Sequence, residues 1–177
     1  MPSTRSDQTG LKPTRYECYI GFYDLSPLQG RLYGSLLKIT GLSHVTHVGP
    51  IISTKTQGDI TLTVCAAMRS SVGIKSIAKV HSPTTLERAG GRLLAKIPIG
   101  EVEMDLEDVV RQARQYTDMT GWDLIFHHFI GRFLGLTRPR TCTTFVCHLF
   151  NLPEIWHPST MWRHYDNTAV GWTGQGR

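Results

Sequence analysis

Two strand-like runs, THVGPIIST (residues 46–54) and DITLTVCAA (residues 59–67), are separated only by KTQG. A connection that short turns the chain back on itself, whereas parallel neighbours need a crossover of about a dozen residues or more. The pair therefore predicts an antiparallel hairpin, with β-branched and apolar residues in both arms. Pro50 has no N–H for a ladder, which predicts an edge position or a bulge in the first arm.

Other segments extend this into an α+β domain. RYECYIGFYDL suits a first strand, and RLLAKIPIGEV, with its alternating apolar residues, suits another. GRLYGSLLKITG places Leu32, Leu36 and Leu37 at helical spacing between two glycines and predicts a short helix. MDLEDVVRQARQYTDM predicts the strongest helix: Asp105 is a cap, acidic residues fill the first turn, and Leu106, Val109, Val110 and Ala113 share one face. Helical stretches over Trp122 to Leu134 and Thr141 to Phe150 follow.

The chain has 177 residues, 40% of them hydrophobic, enough for one domain with a real core. The expected limits are a polar tail over 1–14, a domain over 15–165 and a second tail over 166–177. The formal net charge of +5 is a scattered excess that identifies no partner. Cys18, Cys65, Cys142 and Cys147 are expected as reduced thiols, because a chain of this length needs no disulfide framework. The first residues contain no apolar h-region, so no secretory signal is expected; synthesis is expected in the cytoplasm, with any delivery by another route. No window approaches the roughly 18 apolar residues of a spanning helix. WDLIFHHFIGRFLGL (Trp122 to Leu136) is expected to be a core helix with a polar edge, with peripheral contact at a membrane surface as the alternative.

The chemistry concentrates in RPRTCTTFVCHLFNLP, Arg138 to Pro153. Pro139 disfavours helix before it and Thr141 is an N-cap residue, so Cys142 falls in a first helical turn. At about 100° per residue it shares a face with Phe145, Val146 and Leu149 and points into the protein. The positive end of the helix dipole and the unpaired N–H groups there favour thiolate, and the same groups can hold an oxyanion. Cys147 points roughly 140° away and lacks that advantage.

A cysteine nucleophile needs a base, and LSHVTHVGPII offers His44 and His47. They lie an odd number of residues apart, so a continuous strand presents only one of them to a given face. His47 leads directly into Ile51 and Ile52 and is the expected base; His44, on the turn before the strand, is the alternative.

The order of these motifs, S-H-V-x-H-V-G and an aliphatic strand, then C-T-T-F-V-C-H-L-F downstream, resembles the circularly permuted NlpC-like branch of papain-fold cysteine proteins. That branch includes YiiX-like hydrolases and lecithin:retinol acyltransferase-like proteins. TGWDLIFHHFIGRFLG resembles the segment leading to the cysteine, with Trp122 and Asp123 in the usual Tyr-Asp places. HPSTMWRHY resembles the closing Thr-Pro-x-x-Leu turn and helix, with His157, Pro158 and Met161 in those positions.

The resemblance implies a small antiparallel sheet carrying His47, packed against a helix carrying Cys142. It implies a cysteine-dependent hydrolase, an amidase or peptidase of the thiol-protease kind acting on an amide or ester such as a cell-wall peptide, through a Cys-His dyad and a thioacyl intermediate, without a cofactor. A lipid acyltransferase or thioesterase, with Phe126, Phe129, Ile130, Phe133 and Leu134 lining an acyl surface, is the alternative; so is a catalytically silent interaction module. The chain departs from the family pattern at the third catalytic group. The strand after the histidine strand offers Thr61, Thr63 and Cys65, and the nearest carboxylate is Asp59, so Thr63 and Asp59 are the candidates.

Two other classes receive less support from the residues. Cys142, Cys147, His148, His127 and His128 lack the paired spacing of a structural zinc site, so no metal is expected. Arg132, Arg138, Arg140 and Arg163, with Trp156 and Trp162, form at most a basic face with stacking groups, without a recognition motif for nucleic acid.

Overall fold

A computed structural model describes residues 14–29, 44–54, 58–70, 73–116, 140–155 and 157–172, with single positions at 35, 38, 39 and 130. Five strands form one antiparallel sheet: β1 (Thr14–Asp24), β2 (His47–Thr54), β3 (Gly58–Ser70), β4 (Gly73–His81) and β5 (Arg92–Met104). Their spatial order is β4-β3-β2-β1-β5, which makes β2 the middle strand. The helices are α1 (Ser26–Gln29), α2 (Pro83–Arg88), α3 (Leu106–Arg114), α4 (Cys142–Leu149) and α5 (Pro158–Trp172).

The expected hairpin is β2–β3, closing with Thr54 opposite Gly58, whose φ of 71° is a left-handed value suited to glycine. Pro50 sits on the central strand, not at an edge. The β2–β3 ladder runs only from Ile51 to Thr54 on the β2 side and ends beside Pro50, so the missing N–H interrupts no bond there. The Pro50 carbonyl accepts instead from Thr61 Oγ1 at 2.9 Å. The edge strand β5 carries Pro98 and a bulge that lets Cys18 face Gly100 while Tyr19 faces Pro98; Gly100 takes a φ of 106° there.

Alternation along the strands divides the apolar residues between two faces. On one face Cys18, Ile20, Phe22, Val48, Ile52, Leu62 and Val64 pack with Val109 and Ala113 of α3, Phe145 and Val146 of α4, and Met161 of α5. Trp162 meets Phe22 edge to face with ring centroids 5.1 Å apart. The opposite face holds a smaller cluster of Tyr23, Leu25, Ile51 and Leu86 under α1 and α2.

Helix ends follow local chemistry. Asp105 caps α3 by accepting from the Glu107 N–H at 2.9 Å. α4 ends in a Schellman arrangement: the Leu152 N–H donates to the Cys147 carbonyl at 2.8 Å and the Asn151 N–H to His148, with Asn151 at φ 51°. Sequence reasoning assigns nothing to β4 and α2, although Ser82 before Pro83 is a cap followed by a first-turn proline, and the Ser82 hydroxyl does accept from the Thr85 N–H. α5 continues to Trp172, past Tyr165, where the second tail is expected to begin. Of the helix expected around Leu32 to Leu37, only Ser35, Lys38 and Ile39 are described, all helical. The Trp122 to Leu136 segment lies outside the described residues except for Ile130, as do most of the expected first tail, Arg138 and Trp156.

Candidate functional site

α4 begins with a capping box made of two threonines. Thr141 Oγ1 accepts from the Thr144 N–H at 3.2 Å, while Thr144 Oγ1 accepts from the Thr141 N–H at 2.8 Å. This consumes the third N–H of the helix and leaves those of Cys142 and Thr143, the first two, for the cysteine sulfur. A third backbone group, that of Val48 on β2, meets the same sulfur.

The Val48 N–H is available for a local reason. The Pro50 carbonyl points toward β3, so by the two-residue repeat the backbone groups of Val48 point the same way, just where β3 has left the ladder. Gly49 permits the departure: a Cβ there would stand 2.9 Å from the Leu62 carbonyl oxygen and 3.3 Å from Thr61 Oγ1. In His-Val-Gly-Pro, valine supplies a donor to the thiol, glycine lets β3 cross closely, and proline ends the ladder.

Cys142 is 5% exposed. Burial pushes its thiol up to about 11, and the three backbone donors only oppose this. The expected lowering by the helix terminus is therefore overridden: desolvation of the charged form outweighs the dipole.

His47 is 1% exposed, and burial lowers its imidazole to about 3. It lies on the face with Tyr23, whose ring centroid is 6.1 Å away, and its Nε2 atom has no hydrogen-bond partner among the described residues. The ring thus hangs on the side of the sheet opposite the main body of α4, and no hydrogen bond joins it to Cys142. The separation is nevertheless small, because the sulfur meets the N–H of the very next residue. Standard backbone dimensions put the His47 Cα within about 6 Å of Cys142 Sγ. The approach to β2 is fixed: Thr46 donates its N–H to the Tyr23 carbonyl at 3.0 Å and accepts from the Leu25 N–H at 2.8 Å.

The remaining candidates separate by position. His44 is exposed at the bend before β2. Thr63 is fully buried on the His47 face of β3, with its hydroxyl unpartnered among the described residues. Asp59 lies opposite Ser53, six residues along β2 from His47 or about 20 Å at strand spacing, so it cannot orient that imidazole. It pairs with Lys96 at 2.5 Å and accepts from the Ser53 hydroxyl, and these two partners hold its carboxyl below the usual range.

His157 directly precedes α5. Its Nδ1 accepts from the Ser159 N–H at 3.3 Å at the start of α5, and Met161, the apolar position that follows, is fully buried. Cys147 borders a cavity of about 400 Å³, shared with Arg140, His148 and Glu154. Cys18, Cys142 and Cys147 are free thiols. Among the described residues no group of three or more His, Cys, Asp or Glu side chains could hold a metal ion, and no helix is long and apolar enough to cross a membrane. His127, His128, Phe126, Phe129, Phe133, Leu134 and Arg132 lie outside the described residues. Of the supposed stacking groups, Trp162 is engaged with the core through Phe22.

The backbone donor of Val48 was not among the sequence-based candidates. Its only sequence signal is the Gly-Pro pair that follows it. Comparison with protein-family models, with curated proteins and with solved structures finds no match.

Proposed function

We propose that this protein is a cysteine-dependent hydrolase of an amide or ester, with Cys142 as nucleophile and His47 as base, in a permuted papain-like arrangement. One feature carries the reading: Cys142 opens a capped helix packed against β2, where the backbone groups of Cys142, Thr143 and Val48 favour its thiolate, and His47 is the residue before Val48. A structural cysteine needs no such cradle, whereas a thiolate and the oxyanion that follows it do.

With the thiol and imidazole both neutral at rest, substrate entry and rotation of His47 toward the sulfur bring base and acid together. His47 takes the thiol proton as sulfur attacks the carbonyl carbon, the backbone donors bind the oxyanion, and the leaving amine or alcohol departs with the proton from His47. A thioacyl enzyme remains for water.

The test uses p-nitrophenyl acetate as acyl donor, with mass spectrometry of the modified chain. Acetyl transfer is expected at Cys142 and not at Cys18 or Cys147, falling by about 10²-fold in His47→Ala. Acylation spread evenly over the buried thiols, or unchanged in His47→Ala, would overturn the proposal.

A further inference from the structure

A cavity of about 400 Å³ runs beside α4. Of its lining residues, Thr144, Cys147 and His148 stand about 140–240° around the helix from Cys142 at 100° per residue, so it opens away from the Cys142 sulfur. Rigid parts set its shape. The Leu152 N–H donates to the Cys147 carbonyl at 2.8 Å, which folds the chain back over the last turn of α4, and Pro153 then leads to the exposed Glu154 in the cavity wall. Tyr116 and Leu152, both half-buried, supply apolar lining.

Arg140 and Glu154 give this lining one charge of each sign, and the two are held apart. Arg140 donates from Nη1 to the Gln115 carbonyl at 3.0 Å, which ties it to the end of α3. A guanidinium is a planar fork of several N–H donors, so that bond is compatible with a carboxylate on the same side chain. Glu154 stands near Cys147: burial pushes that thiol up, and the Glu154 charge adds to the shift. From Arg140 to Cys147 the chain advances about 10 Å at a helical rise of 1.5 Å per residue. A single amino acid carries its ammonium and carboxylate on one carbon and cannot reach both charges, whereas three residues of extended chain span about 10 Å. The amide groups of such a peptide also require partners, and the exposed side chains of His148 and Asn151 supply them in the same wall.

We infer that this cavity binds a short free peptide of about three residues, its carboxylate on Arg140 and its ammonium on Glu154. Small apolar side chains of the peptide meet Tyr116 and Leu152. A peptide blocked at one end presents only one of the two charges, and a segment inside a longer chain presents neither, so the cavity selects for a peptide with both termini free. Binding here is independent of the chemistry proposed for Cys142.

The probe is trialanine, titrated into the full chain and followed by the backbone amide NMR signals of Thr144, His148 and Leu152. These signals should shift saturably at millimolar peptide. Trialanine acetylated at its amine, or amidated at its carboxyl, should bind about tenfold more weakly. Glu154→Gln should remove the preference for the free amine and Arg140→Gln the preference for the free carboxylate, each leaving the other preference in place, and Cys142→Ser should leave binding unchanged. Blocked peptides that bind as tightly as trialanine, preferences that survive both substitutions, or the lack of any saturable shift would overturn the inference. Loss of binding in Cys142→Ser would overturn it as well, by placing the peptide at the proposed nucleophile instead.

Discussion

At the scale of residues, the clearest consequences come from burying an ionisable group without a charged partner. The unfolded chain binds a proton at His47 near pH 6.5, whereas in the folded state burial postpones this to about 3. Between those values the unfolded state holds more protons, so stability rises with pH and is lost as pH falls through the window. The expected slope is up to about 1.4 kcal/mol per pH unit. Urea midpoints measured from pH 7 to pH 5, above most carboxylate titration, should decline for the wild type and flatten in His47→Gln. Cys142 works in the opposite direction: its thiol, raised to about 11, makes the folded state lose stability as pH climbs past the free thiol value. The sequence placed the cysteine at a helix start correctly, but the sign of its shift depended on how deeply the fold buries it.

At the scale of elements, α4 shows how much of a helix is written in its flanks. Thr141 and Thr144 close one end, and Asn151 followed by Pro153 closes the other. Thr141→Ala removes one half of the capping box and is expected to cost about 1 kcal/mol, with most of it recovered in Thr141→Ser, by urea denaturation. The same substitution frees the Thr144 N–H beside the cysteine, so reactivity at Cys142 should change along with stability. β2 was harder to place. Pro50 suggests an edge when the strand is considered alone, and only the early end of the β3 ladder reconciles proline with a central position. β4 went unassigned because its pairing depends on β3, which outruns its partnership with β2 and needs another neighbour for Leu62 onward.

At the scale of the whole molecule, stability resides where α4 and α5 cover the sheet. Met161 is fully buried in that cluster, and Met161→Ala is expected to cost about 2–5 kcal/mol in urea denaturation. Lys96→Ala, which breaks a partly exposed pair with Asp59 and a contact 3.8 Å above the Tyr19 ring, should cost no more than about 1 kcal/mol. The contrast places the stabilising interactions in the apolar contact between layers. The edge strands carry Lys75, Lys79, Lys96 and Pro98, residue types that discourage further strand pairing.

Local patterns in the chain were sufficient for the hairpin, the first and last strands, the caps of α3 and α4, and the position of Cys142 in a first helical turn, because each depends on neighbours within a few residues. Tertiary structure decided the rest. It set the central place of β2, the Val48 donor at the cysteine, the face on which His47 lies and the isolation of Asp59 at the far end of the strand. Register and burial are collective properties: a one-residue change in pairing reverses a strand's faces, and desolvation depends on every element that closes over a group.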